Sequence, residues 1–292
     1  MDAAAGGGIG GEPRMTRRGP RRRSSRPFAI WGDSLSARRV AAERARLAKR
    51  SRRMHDQWAA LHHLCPDRGS RLRLSRLIHR LMSEDRGVRE SAVAELELAT
   101  LLVRSGFAIR FLPESQARTA DLECRLGASR LFVEVTALVG TGRHLHLEAA
   151  KRQLLEDPED ETVGQGIIER LVARVAQKAK QLSDYAAPVV LALTMPPPDP
   201  ELGLRNQEVD LKRLAGAVTL LLLSLKHLSG VVIALWDVKG APMTSAVRLS
   251  NVHLVERSAQ QAAYPRIRLL MTNPAAAAPL AEAQVEALKA LL

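Results

Sequence analysis

Cysteine and aromatic residues are both scarce in this chain of 292 residues, which has two Cys and 3% Phe, Trp and Tyr. Cys65 and Cys124 are too few for a disulfide framework, so small disulfide-stabilised folds are excluded and a reducing, cytoplasmic setting is expected. Few aromatics leave little surface for stacking on unpaired bases. Long apolar runs are missing too. The longest, Leu214 to Leu225, includes Thr219 and Ser224 and is too short to span a bilayer, so no membrane association is expected.

Acidic residues are outnumbered, and the imbalance is concentrated at one end of the chain. Lys and Arg total 44 against 31 Asp and Glu, a net charge of +13. Residues 1–60 hold 15 of these basic residues against 5 acidic ones, and so carry +10 of that charge. Arg-rich segments bind phosphates with little regard to sequence, which favours nucleic acid as partner; a merely solubilising extension is the alternative. We predict a disordered basic arm over 1–33 and a basic helical extension over 34–85.

The remaining chain, 86–292, predicts a single α/β domain, and its hydrophobic content of 46% is sufficient for a large core. Periodicity first indicates a helix over Glu90–Ser105, which Gly106 ends. Three strands follow, over Phe107–Leu112, Asp121–Leu126 and Leu131–Val139. The later elements are a helix (Ile167–Leu182), a strand (Pro188–Met195), a helix (Val209–Leu228), two strands (Val231–Trp236, Arg266–Met271) and a helix (Leu280–Leu292). The order αβββαβ predicts a mixed central sheet with helices on both faces.

Two carboxylates stand out within the three-strand segment. Glu134 lies in the middle of an otherwise apolar strand, where an ionised side chain is costly unless it is paired or bound to a cation. Alternation puts it on one face together with Phe132 and Thr136. If the second and third strands form a hairpin, Asp121 lies beside Glu134. Two close carboxylates and a backbone carbonyl suit Mg²⁺, which keeps several waters and can activate one of them against a phosphodiester.

These residues resemble the PD-(D/E)XK nuclease superfamily, whose fold is the restriction-endonuclease-like one. The resemblance covers about residues 90–195, with Thr119–Ala120–Asp121 similar to the "PD" element and Glu134–Val135–Thr136 similar to the (D/E)XK element. It implies that Asp121 and Glu134 bind Mg²⁺ or Mn²⁺ together with the Val135 carbonyl. It also implies a helix carboxylate, either Glu95, eleven positions before Gly106 as in archaeal Holliday-junction resolvases, or Glu97.

Thr136 departs from that pattern, because the family has at this position a lysine that activates or orients the attacking water. Some members supply the charge from elsewhere. Here Lys178 lies on the inward face of the following helix, three residues from Val175 and four from Leu182, whereas Lys180 points away. We therefore list Glu95, Asp121, Glu134, Thr136 and Lys178 as candidate catalytic residues.

The resemblance implies a magnesium-dependent nuclease, acting as an endonuclease or as an exonuclease, with DNA as the expected substrate, and leaves homodimer formation open. The alternative is a catalytically silent relative that binds nucleic acid or a protein partner, since the family lysine is missing. Several other residues have ordinary explanations: Glu123 pairs with Arg125 in solvent, and Cys124 belongs to the core. Gln181 and Tyr185 have the Gln-x-x-x-Tyr spacing of the RecB-type branch, and His144 and His146 follow a loop that lacks the spacing of a phosphate loop.

Overall fold

The computed structural model describes residues 51–65, 67–113, 120–139, 163–197, 207–240, 250–258 and 264–292. All of the described residues belong to one compact unit, Arg46–Leu292. The predicted arm 1–33 and the first part of the predicted extension, 34–50, lie outside the described residues, as do His144 and His146.

Six helices are described. The first, α1, is helical from residue 51, where the description begins, to residue 64. The others are α2 (Arg68–Leu81), α3 (Arg86–Arg104), α4 (Val163–Ala179), α5 (Leu211–Ser224) and α6 (Glu282–Lys289). Among the described residues, none of these helices combines the length and apolar character needed to cross a bilayer.

Seven strands form one mixed sheet in the order β1-β2-β3-β4-β6-β9-β8. Their bounds are β1 Ala108–Phe111, β2 Leu122–Leu126, β3 Ser129–Ala137, β4 Val189–Met195, β6 Gly230–Leu235, β8 Val252–Glu256 and β9 Ile267–Thr272. The central pairs β3–β4 and β4–β6 are parallel, and the four outer pairs are antiparallel. A separate parallel pair joins β5 (Gln207–Val209) to β7 (Val238–Gly240). The predicted α/β class and mixed sheet are confirmed.

Alternation along the strands divides the core between the two faces of the sheet. Val133 and Val135 of β3 pack in one cluster with residues of α1, α2, α3 and α6. The other face is packed mainly by α4 and α5, and Phe132 contacts that second cluster. Glu134, which alternates with Val133 and Val135, therefore points toward the α4 side of the sheet.

The chain near α3 and β1 is fixed by local capping. The Asp85 side chain accepts from the Val88 amide at 2.9 Å, so α3 begins at Arg86, four residues before the predicted start. Gly106 follows the helix with φ of +92°, a conformation that residues with a Cβ adopt at a cost. This turn sends the chain directly into β1.

The predicted helix Val209–Leu228 is wrong at both ends. Val209 is buried in β5, and α5 starts only after Asp210, whose side chain accepts from the Arg213 amide at 2.9 Å. At the other end α5 stops at Ser224, and the Asn273 side-chain amide donates to the carbonyl of Leu222 in its last turn and to that of Leu228 in the segment beyond, both at 2.8 Å. Strands β5, β7 and β8 were not predicted, because two have three residues and the third is an edge strand without alternating burial.

Candidate active site

Asp121 precedes β2 and is held against β3 by the backbone. Its amide donates to the Val133 carbonyl at 3.0 Å, and its Oδ2 accepts from the Val135 amide at 2.8 Å. The hairpin pairs Leu122 with Val133, which is the register that brings Asp121 beside Glu134 as the sequence predicts. Val135 thus contributes its N–H to the position of Asp121, while the strand around it pairs with Ala192 of β4.

Glu134 lies in the middle of β3 with its side chain only 9% exposed. Its Oε1 accepts a hydrogen bond from the Lys178 Nζ at 2.6 Å. Lys178 belongs to the last turn of α4, on the helix face that covers this side of the sheet, and its side chain is 19% exposed. The structure therefore brings together Asp121, Glu134 and Lys178, three of the residues that the sequence singled out.

Glu95 joins the cluster from the opposite face of the sheet, where α3 buries its side chain to 2% exposure. Its partners are two arginines of α2. Arg80 donates to Oε2 at 2.9 Å, and the Arg73 Nη2 lies 3.1 Å from Oε1. The same Nη2 lies 3.4 Å from Asp121 Oδ1. These arginines were missed by the sequence analysis, which treated α2 as part of a separate extension.

Burial raises the pKa of all three carboxyl groups, and the charge of Asp121 raises those of Glu95 and Glu134 further. Burial and then the charge of Asp121 raise the pKa of Glu95 to about 8, against the opposing effect of Arg73 and Arg80. The same two causes raise the pKa of Glu134 to about 7, although Lys178 acts in the opposite direction. Burial also raises the pKa of Asp121, despite its bond from Val135. The surrounding arginines and lysine therefore do not fully compensate the negative charge of the three carboxylates. This deficit favours binding of protons or of a further cation at the cluster.

Thr136, the residue at the family's lysine position, is buried on the same face as Glu134. Its Oγ1 accepts from the Arg174 guanidinium, with Nη2 at 2.9 Å and Nε at 3.3 Å. Arg174 lies one helical turn before Lys178, so the two cations reach two alternate residues of β3. The spacing of four residues between Arg174 and Lys178 could have revealed this from sequence.

The structure settles the position of the competing residues. Glu97 lies away from the cluster, and its Oε1 is 3.9 Å from Arg53. Glu123 does pair with Arg125, at 2.7 Å, but the prediction that it is solvated is wrong, because antiparallel pairing with β1 leaves it 6% exposed and also brings Arg110 within 3.7 Å.

Tyr185 lies beyond the C-terminus of α4, not in the helix. Its hydroxyl accepts from the Ala120 amide at 2.6 Å, and its ring centroid is 4.5 Å from that of Phe132. Tyr185 therefore supports the segment that leads into Asp121. Lys180, the other lysine weighed from the sequence, is exposed.

Asp121 and Glu134 offer the oxygen ligands that Mg²⁺ prefers, and their raised pKa values indicate that added positive charge is favourable here. Glu95 Oε1 is buried and accepts no hydrogen bond from the described residues, although it faces Arg73. No group of three or more His, Cys, Asp or Glu side chains in the described ranges is arranged to hold a metal ion. Asp121 and Glu134 are therefore the two carboxylates of the cluster left as oxygen donors for an added cation, and one oxygen of Glu134 already accepts from Lys178.

Comparison with protein-family models, with curated proteins and with solved structures gives no match. The function is therefore argued from the geometry and chemistry of this site.

Proposed function

We propose that this protein is a metal-dependent nuclease that hydrolyses phosphodiester bonds, with DNA as its proposed substrate. We also propose that its core has the restriction-endonuclease-like fold. The observation that carries the proposal is the position of Asp121, just before β2 and bonded to β3, beside Glu134 of β3, with the Lys178 ammonium 2.6 Å from Glu134. The element order α3-β1-β2-β3-α4-β4, in which β2 and β3 form a hairpin and β3 pairs in parallel with β4, supports the proposal.

The carboxylates of Asp121 and Glu134 would hold Mg²⁺ or Mn²⁺, which when bound supplies a more acidic water and charge stabilisation for a phosphate. Lys178 donates to Glu134, which opposes the rise in the pKa of that carboxyl, and would orient an attacking water. Glu95 would reach a bound metal through a bridging water and not by direct contact, because Arg73 and Arg80 occupy its carboxylate. Thr136 orients Arg174. Both cysteines are buried and unpaired, which fits the reducing cytoplasm as the place of action.

A second candidate function is favoured by the α2 arginines. Arg73 lies between Glu95 and Asp121, where it already supplies positive charge. A protein in which this contact has replaced a metal would be a catalytically silent relative that binds nucleic acid. The two functions differ in one measurable property, since only the nuclease requires a divalent cation at Asp121 and Glu134.

The test is cleavage of plasmid and linear duplex DNA with Mg²⁺ or Mn²⁺, with EDTA as the blank. Asp121→Asn and Glu134→Gln are expected to abolish cleavage while the far-ultraviolet circular dichroism is unchanged. Lys178→Ala is expected to lower the rate by about 100-fold or more if the lysine takes part in proton transfer.

Glu208→Gln, which changes an exposed carboxylate of β5, is the matched control and should cleave normally. Cleavage by Glu134→Gln at the wild-type rate would show that the metal site is assigned wrongly. A wild-type protein that binds duplex DNA but cleaves none with either metal would favour the silent relative.

A further inference from the structure

Three cationic residues follow one another at intervals of four along α4: Arg170, Arg174 and Lys178. Residues four apart lie on one side of a helix, about 6 Å apart along its axis. The Arg174 and Lys178 contacts with Thr136 and Glu134 fix this side of the helix as the one that borders β3. The three residues, which we call the α4 stripe, therefore lead along the helix to the carboxylate cluster.

Only the last member of the α4 stripe is neutralised by an acid in the described part of the chain. Lys178 pairs with Glu134, whereas Arg174 donates to the neutral oxygens of Thr136 and Gln177. Burial lowers the pKa of Arg170, and no acidic group of the described residues opposes that effect. Arg170 and Arg174 are both half-buried. Partly desolvated cations without an acidic partner are a favourable place for an external anion.

Arg174 is also oriented before any ligand arrives. Two of its N–H groups bind Thr136 and a third binds Gln177 at 2.7 Å, which leaves two guanidinium hydrogens to donate elsewhere. The side-chain entropy that binding normally costs is thus largely lost already in the free protein. A guanidinium held in this way favours a phosphate, whose oxygens match its planar arrangement of donors.

We propose that the α4 stripe is a phosphate-binding track that lays one strand of duplex DNA along α4 and delivers a phosphate to Asp121 and Glu134. The inference rests on the proposed function for its substrate class and adds the path of that substrate. The stripe extends over about 12 Å, the axial length of some three to four phosphates of one strand. A regular polyanion suits such a row, whereas a single phosphate or an acidic side chain engages one member.

The experiment measures binding of the full chain to a fluorescent 20-base-pair duplex by anisotropy, in EDTA, across NaCl concentrations. Each cation that contacts a phosphate contributes about 0.9 to the slope of log K against log [NaCl]. Arg170→Gln with Arg174→Gln is expected to make the slope less negative by about 2 and to weaken binding about tenfold or more at 0.1 M salt. Arg174→Lys, which keeps the charge, should preserve the slope.

Lys180→Gln is the matched control, because it removes a positive charge from an exposed position of the same region, two residues after the stripe ends. It should leave the slope unchanged. The proposal is overturned if the double variant retains the wild-type slope, if Lys180→Gln reduces it equally, or if the duplex is not bound. If the double variant has a reduced slope but the wild type cleaves no duplex with Mg²⁺ or Mn²⁺, the nuclease is refuted and the track remains. If the wild type cleaves but the double variant keeps the wild-type slope, the track is refuted and the nuclease remains.

Discussion

The buried carboxylate of β3 should make the stability of this protein fall as the pH rises. Moving the pKa of Glu134 from 4.5 to about 7 on folding corresponds to about 3 kcal/mol. Because the folded state holds the Glu134 proton to higher pH than the unfolded state does, the contribution of Glu134 to the free energy of unfolding decreases between about pH 4.5 and 7 and is constant above that range.

Glu134→Gln removes this dependence, since an amide does not ionise and its oxygen still accepts from Lys178. Without divalent ions, the variant is expected to gain about 2 to 3 kcal/mol over the wild type between pH 5 and pH 8.5. Urea unfolding at the two pH values, in EDTA and monitored by circular dichroism, gives the comparison. Glu208→Gln, at an exposed position, should change nothing at either pH.

Divalent cations should offset part of the advantage of Glu134→Gln over the wild type. A metal that binds the folded protein stabilises it by RT ln(1 + [L]/Kd), or about 1.4 kcal/mol at ten times Kd, and only the wild type should respond. A difference between wild type and Glu134→Gln that is the same at both pH values would refute the reasoning. It would mean that Glu134 is ionised in the folded protein at pH 5.

Two further predictions concern the residues around the cluster. Arg73→Met leaves Glu95 buried with Arg80 as its remaining arginine partner and should cost about 3 to 5 kcal/mol in urea unfolding, whereas Arg76→Met, exposed on the same helix, should cost little. Tyr185→Phe keeps the ring against Phe132 but removes the acceptor of the Ala120 amide; a loss of about 1 to 3 kcal/mol in unfolding free energy is expected, and an unchanged value would show that water replaces the hydroxyl.

The two neighbouring carboxylates of the candidate site could be predicted because a single residue contradicts its local pattern. Glu134 interrupts an apolar strand, and Asp121 is related to it by one hairpin, so both could be placed from neighbours within fifteen residues. Lys178 could be placed because the periodicity of one helix defines its inward face. The α/β class followed for the same reason, since the long elements have strong periodicity.

The contacts that escaped prediction are those between distant segments. Arg73 meets Glu95 from 22 residues away and Asp121 from 48, and nothing in its own helix marks it as buried. The pairing of Glu123 with the charged Arg125 predicts a solvated side chain, whereas its burial comes from the pairing of β2 with β1. Charge alone cannot show which arginine of a basic segment points inward, because that depends on where the helix docks.

The position of α2 bears on how much of the chain can fold by itself. A fragment that starts at residue 86 would keep the nine described strands and the three carboxylates of the cluster, but it would lose both arginines that face Glu95. It would also uncover the core where Leu61, Leu74 and Leu77 now pack. The carboxylates would then be buried against each other without those counter-charges, or would draw water into the core. The smallest part of this protein that folds by itself therefore begins before Arg73. The helical extension supplies the arginines of the acidic site, and the sheet and α3 supply its carboxylates.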